Sequence, residues 1–283
     1  MVLRVAVLTD TLSPGFFFPV WCSYYGKLFG RSNLHVITYE GGPVIQDSTL
    51  GSVIRLPIPW DDNTRAERFA DLTAFMLGAY DVVIRTDTDE FLAVDPAVAP
   101  DLRTYLETTK RPYCTARGFD VTQTMGEAPL KQGPLLAQRN LAYQNSALNK
   151  TCIVRMPIRW SPGFHWCTAA PEFGPVFLLH LKRIDVEVQL RWQDEILRHI
   201  ANNPKIPQHT RDHYGFDRIK ILEYNLGVSM RPRLKGQDAW YRHDFQRLFR
   251  DAVALDLRSG MYAGSFGHEE VLCEVPEAWR ALV

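Results

Sequence analysis

The stretch Asp81-Val82-Val83-Ile84-Arg85-Thr86-Asp87-Thr88-Asp89-Glu90-Phe91 drives an apolar segment into three carboxylates within four residues, Asp87, Asp89 and Glu90. Val82, Val83 and Ile84 read as a short strand buried on both faces, as in a parallel sheet. The carboxylates then emerge at its C-terminal end, the edge where open α/β sheets bind ligands. Like charges this close repel and raise one another's pKa unless a cation sits between them, and a divalent metal carrying a polyphosphate meets that need.

Upstream of this strand the pattern alternates. Val5 to Leu8, His35 to Tyr39 and Val53 to Leu56 carry strand signals, and a helix is expected through Cys22 to Phe29. Before the acidic strand a second helix is expected, with Asn63 or Thr64 as N-cap, an apolar stripe of Phe69, Leu72, Phe75 and Met76, and Gly78 as its stop. Downstream, a helix from Asp101 to Thr108 leads to a strand at Tyr113 to Phe119. A long polar loop follows from Asp120 to Ser146, with Gly126, Pro129, Gly133 and Pro134, and a loop of that length is usually functional. Ile153-Val154, an aromatic-rich turn around Trp160, Phe164 and Trp166, and the run Val176 to His180 complete a unit spanning 1–185. From 186 to 283 the texture is helical, with amphipathic stretches at Leu190 to Ile200, Phe216 to Leu222 and Ala239 to Leu255, so a helical C-terminal extension packed on an α/β body is expected.

With 283 residues, 46% of them hydrophobic, the chain can bury a full core. Lys plus Arg and Asp plus Glu both number 32, so there is no global field for nucleic acid, and phosphate binding must come from a local cluster. Five widely spaced cysteines without a CxxC pair fit a reducing compartment, and a cytoplasmic location is expected. The N-terminus reads as a first strand rather than a signal peptide, and no segment is long enough to span a bilayer. Phe16 to Trp21 is read as core, with peripheral membrane contact as the most that it suggests. There is no GxGxxG after the first strand, no GxxxxGK and no GxSxG, and His209 with His213 reads as a solvated turn because the glutamate of a zinc-protease helix is missing.

Asp87 and Asp89, two apart, project to the same side of an extended backbone and can share one ion. Oxygen ligation favours magnesium or manganese over zinc. An ordinary acidic turn is the competing reading, but a buried strand before it and Phe91-Leu92 after it favour the ion. The segment from Tyr80 to Leu92 resembles the D-x-D-E-F segment of glycosyltransferases of the family 2-like and family 92-like kind. Asn149-Lys150, the stretch Trp160 to His165, and His180-Leu181-Lys182 resemble the K, H and H-Y-R elements of those enzymes, with lysine where the last arginine stands. The likeness covers roughly Val5 to Asp185.

The resemblance implies a GT-A-like, Rossmann-like mixed sheet, mostly parallel and flanked by helices. It also implies a metal-dependent hexosyltransferase of polysaccharide biosynthesis that uses Mn2+ or Mg2+. Such an enzyme moves a sugar from a nucleoside diphosphate donor to a glycan or other hydroxyl acceptor, with inversion. In that scheme Asp87, Asp89 and His180 hold the metal, and His165 meets the donor or acceptor sugar. Lys150, Lys182 and Arg183 meet diphosphate charge. At the ends of the first two strands Thr9, Asp10, Thr11, Tyr39 and Glu40 form a natural cradle for the nucleotide, where a carboxylate can accept from ribose or base. An inverting transfer needs a base across the sugar; Glu172 is the first choice, with Asp120 and Glu127 in reserve. The alternatives are a haloacid-dehalogenase-type phosphatase using Asp-x-Asp, and a non-catalytic sugar-binding module.

Overall fold

A parallel ladder is formed by β1 (Val5–Asp10), β2 (Leu34–Thr38), β3 (Ser52–Arg55) and β4 (Val82–Arg85) in the order β3-β2-β1-β4. The register sets Val7 beside Leu34 and Val5 beside Val82. In this computed structural model residues 2–215, 218–234, 253–264 and 267–283 are described. The chain leaves β1 toward β2 on one side and returns to β4 on the other. That reversal of strand order opens a crevice at the carboxyl ends of β1 and β4.

Beyond β4 the sheet is mixed. It continues through β8 (Thr151–Val154), antiparallel to β4, then β6 (Tyr113–Thr122) and β7 (Leu141–Gln144). The long β9 (Phe173–Arg183) runs parallel to β6 and antiparallel to β5 (Glu90–Val94), so that Glu90 and Asp120 both stand beside His180 in register. The α/β class and the flanking helices are as expected.

Strand alternation sorts the core into two layers. Val5, Val7, Val82 and Ile84 pack on one face against α1 (Phe17–Phe29) and α3 (Leu102–Thr108), and Ala6, Leu8 and Val83 pack on the other with α2 (Asp62–Met76). Both faces are covered, which is why the Val82-Val83-Ile84 run needs no polar alternation.

Helix α2 differs from its expected face. Asp61 is the N-cap and accepts from the Thr64 amide; Phe69 and Met76 are buried, but Phe75 is 80% exposed and Arg65 is buried in its stead. The ion pairs of Arg65 described below account for that rotation. The Asp120–Ser146 segment holds the end of β6, the short helix α4 (Leu135–Gln138) and β7, elements too brief to show a period in the sequence.

After β9 the chain is helical through α5 (Val186–Asn202), α6 (Gln208–Tyr214) and α7 (Arg218–Ser229). Asp185 caps α5 by accepting from Val188, and its other oxygen takes Arg139, which also bonds the carbonyls of Ile184 and Ala128. Further on come β10 (Arg233–Leu234), the hairpin of β11 (Ala254–Asp256) and β12 (Met261–Ala263), and β13 (Leu272–Glu274), which pairs with β7 and extends the main sheet. The expected helix Ala239 to Leu255 falls largely outside the described residues. All five cysteines are buried thiols, and among the described residues no helix is long and apolar enough to cross a membrane.

Candidate active site

The crevice at the ends of β1 and β4 is a cavity of about 230 Å³ whose polar wall includes Asp10, Arg65, Asp87, Asp89, Lys150 and His180. Its opposite wall comes from the C-terminal helices: Trp192 and Ile196 of α5, and His213 and Tyr214 of α6. The tail is therefore part of the site. α6 is a helix rather than a solvated turn because Pro207 opens it and His209 and Thr210 both bond Asp61, the cap of α2.

Asp87 turns out of β4 into a cage of cations. Arg65 and Arg85 both donate to its Oδ1, and Lys150 Nζ lies 3.2 Å from its Oδ2. Burial alone would raise this carboxyl; the coulombic pull of Arg65, Arg85 and Lys150 outweighs it and holds the pKa well below the ordinary value. Glu90, fully buried, accepts from Lys150 at 2.6 Å and from the Asp87 amide at 2.9 Å. Asp10 takes Arg65 through both oxygens, each at 2.6 Å, and accepts from Tyr39 Oη at 3.0 Å. The repulsion within the acidic knot is thus relieved first by the protein's own guanidinium and ammonium groups.

The strand-to-turn segment at Trp160 to His165 supports these cations. Arg85 lies with its guanidinium carbon 3.2 Å from the Phe164 ring centroid, and Arg65 at 4.8 Å. Arg85 Nε and Nη1 are buried without hydrogen-bond acceptors; Nη1 stands 3.8 Å from Glu90 Oε2, and the aromatic face adds to that compensation. Phe164 reaches this position at φ 60, a strained value for a side chain, after Gly163 at φ 70. His165 Nδ1 donates to the Ala147 carbonyl at 2.6 Å, and burial with nearby Lys150 pushes this imidazole down to about 4, so it stays neutral. Gly118 permits the approach of the 146–148 turn: a Cβ there would fall 2.2 Å from Leu148 Cβ.

Asp89 behaves differently from Asp87. His180 Nε2 lies 3.4 Å from Asp89 Oδ2, and His180 Nδ1 lies 2.6 Å from Asp120 Oδ1, with Asn145 Nδ2 holding the other Asp120 oxygen at 2.9 Å. Burial opposes charge on His180, but Asp89 and Asp120 prevail and raise it to about 10. Lys182 Nζ sits 4.4 Å over the Trp192 ring, and burial lowers its pKa against the pull of Asp89.

Of the residues singled out in the sequence, the cavity wall brings together Asp10, Thr11, Asp87, Asp89, Lys150, His165, His180 and Lys182. Asp120 sits behind His180, 2% exposed, where it positions the imidazole and cannot reach an acceptor. Arg183 stands 3.9 Å from Asp120 with its guanidinium on the Tyr224 ring. Thr9 is fully buried and bonded to the Asp10 carbonyl; Glu40 faces outward to Lys205 at 2.7 Å. Glu127 accepts from the Thr124 amide in its own loop. Glu172 lies just before β9, eight residues upstream of His180, and pairs with Arg111 at 3.1 Å. At roughly 3.3 Å per residue, strand geometry sets it about 25 Å from the cavity end.

Among the charged groups of the site, Arg65 and Arg85 were not foreseen. Arg85 carried a signal, closing a strand otherwise made of Val and Ile, whereas the α2 pattern around Arg65 carried none.

The two carboxylates of the pair differ in their partners. Asp87 is ion-paired through both oxygens, with Arg65 and Arg85 on one and Lys150 on the other. Asp89 and His180 fit a metal: their atoms are spaced as neighbouring ligands of one ion would be, and Asp120 fixes the imidazole so that Nε2 faces Asp89, the orienting carboxylate common behind metal-binding histidines. Among the described residues no group of three His, Cys, Asp or Glu is arranged to hold an ion, so the remaining positions would belong to substrate and water.

No protein-family model and no curated protein sequence matches this chain. Among solved structures it is similar to a mannose-1-phosphate geranyltransferase from Thermus thermophilus, with 12% identity and a TM-score of 0.29 over 78% of this chain and 68% of that one. It is also similar to TarS from S. aureus, with 12% identity and a TM-score of 0.30 over 87% of this chain; the match spans about half, 49%, of the TarS chain. These likenesses are loose, and the chemistry of the cavity itself carries the functional reading.

Proposed function

We propose that this chain is a metal-dependent glycosyltransferase that moves a sugar from a nucleoside diphosphate donor to a hydroxyl acceptor. The observation that carries the reading is the convergence of Asp89 with His180 at 3.4 Å, beside Lys150 and Lys182, at the carboxyl ends of β1 and β4. Asp89 and His180 would hold Mn2+ or Mg2+, which when bound supplies Lewis-acid charge to a departing diphosphate.

The remaining parts follow from the chain's own groups. Asp120 keeps Nε2 of His180 facing Asp89, and a metal held there would displace the proton that the two carboxylates otherwise favour. Lys182, braced on Trp192, adds positive charge for the diphosphate. The Trp60–Tyr214 ring pair, with centroids 4.5 Å apart and planes tilted by 54°, offers aromatic surface to a base or a sugar. The phosphatase alternative loses ground because both oxygens of Asp87, the residue it would use as nucleophile, are occupied by Arg65, Arg85 and Lys150.

Titration of uridine, guanosine and cytidine diphosphates with Mn2+ into the wild type and Asp89→Ala tests the reading. Metal-dependent affinity for one nucleotide, lost in the variant, is expected; equal affinity in both would refute it. Tight donor binding with neither hydrolysis nor transfer would point to a non-catalytic module.

A further inference from the structure

A second cavity, of about 590 Å³, shares Phe16 with the first. Its walls are apolar: Phe16, Pro19 and Val20 from the start of α1, facing Leu130, Leu135 and Leu282. The run Phe16 to Trp21 is divided by the helix. Phe17, Phe18 and Trp21 are buried, whereas Phe16 is 37% exposed and, with positions 19, 20, 23 and 27, forms one stripe at helical spacing. The volume lies in the range of small-molecule sites. Two exposed lysines, Lys27 and Lys131, stand among the lining residues, where a long aliphatic stem can cover apolar surface while its ammonium stays in water. The loop bearing Lys131 is braced on Gln138, which accepts from the Lys131 amide at 2.7 Å and donates to its carbonyl at 3.0 Å.

We infer that this groove binds the hydrocarbon chain of an anionic amphiphile. The apolar floor suits a methylene chain, and the lysines at its rim select an acidic head over a neutral or cationic one. Through Phe16 the bound chain lies next to the cavity that holds Asp89 and His180. The site stands independently of the transfer reading, since neither Val20 nor the two lysines belongs to that cavity.

The test is calorimetric titration of dodecyl phosphate, below its micelle concentration, into the wild type, Val20→Glu and the double variant Lys27→Glu/Lys131→Glu. Saturable binding is expected in the wild type, weakening about tenfold when the chain is shortened by two methylenes. Val20→Glu should lose at least tenfold. The double variant should lose dodecyl phosphate and gain dodecyltrimethylammonium. A parallel titration with nucleoside diphosphate and Mn2+ separates the two claims: its failure sinks the donor reading alone, and its persistence in Val20→Glu shows that the fold is intact. Absent binding, binding without dependence on chain length, or equal affinity in all three proteins would overturn the groove assignment.

Discussion

His180 bridges Asp89 and Asp120, its Nε2 lying 3.4 Å from the first and its Nδ1 2.6 Å from the second. The two carboxylates have unlike jobs because only Asp89 lines the cavity. Asp120 fixes which nitrogen faces Asp89, and an Asp120→Asn substitution preserves size while weakening that control. Mn2+-dependent nucleotide affinity is expected to fall roughly 10- to 100-fold in this variant, the usual loss when the partner behind a metal-binding histidine is changed. Unchanged affinity would mean that His180 needs no such orientation.

Arg65 of α2 ties Asp10 on β1 to Asp87 beyond β4. Arg65→Met leaves the buried Asp10 carboxylate without its cation, while Asp87 keeps Arg85 and Lys150, and a loss of about 3–5 kcal/mol in urea unfolding is expected. Combining it with Asp10→Asn should return part of that loss, since the second change removes one uncompensated charge. Additive losses would show that the two residues are not energetically coupled.

Gly163 probes the strained turn. At φ 70 a side chain is disfavoured, and a Cβ would lie 2.6 Å from His165 Nε2, so Gly163→Ala must move the imidazole or the turn that carries Phe164 beneath Arg85. A destabilisation of about 1–2 kcal/mol is expected, together with weaker nucleotide binding. Wild-type values for both would show that the turn has room to relax.

The acidic strand and the βαβ order were legible because each rests on a local pattern, an apolar run with a polar end; Lys150, His165, His180 and Lys182, which line one cavity, stood out through the resemblance to the D-x-D-E-F glycosyltransferases rather than through any local pattern. What was not legible depends on contacts distant in sequence. The Arg65 cage joins residues 22 and 55 apart, and nothing in the α2 pattern distinguishes a buried, paired arginine from a solvated one. The wall from Trp192 to Tyr214 likewise required knowing that the tail folds back over the crevice. Glu172 lies between His165 and His180 in sequence, yet an extended strand carries it away from the cavity end.

Acid should weaken the fold in part through His165. This residue stays neutral in the folded chain, its pKa pushed down to about 4 by burial and by Lys150, whereas in the unfolded chain it titrates near 6.5. Above pH 6.5 both states are neutral and the residue is without effect on the balance. Between pH 6.5 and about 4 the unfolded chain takes up a proton that the folded chain refuses, so stability falls as pH falls, by about 2 kcal/mol once partial exposure is allowed for. In His165→Gln that component of the acid loss should disappear: urea midpoints measured from pH 7 to 4.5 should decline less steeply than in the wild type. Parallel declines would mean that the imidazole finds water or a counter-charge in the folded chain, contrary to its seat against Ala147.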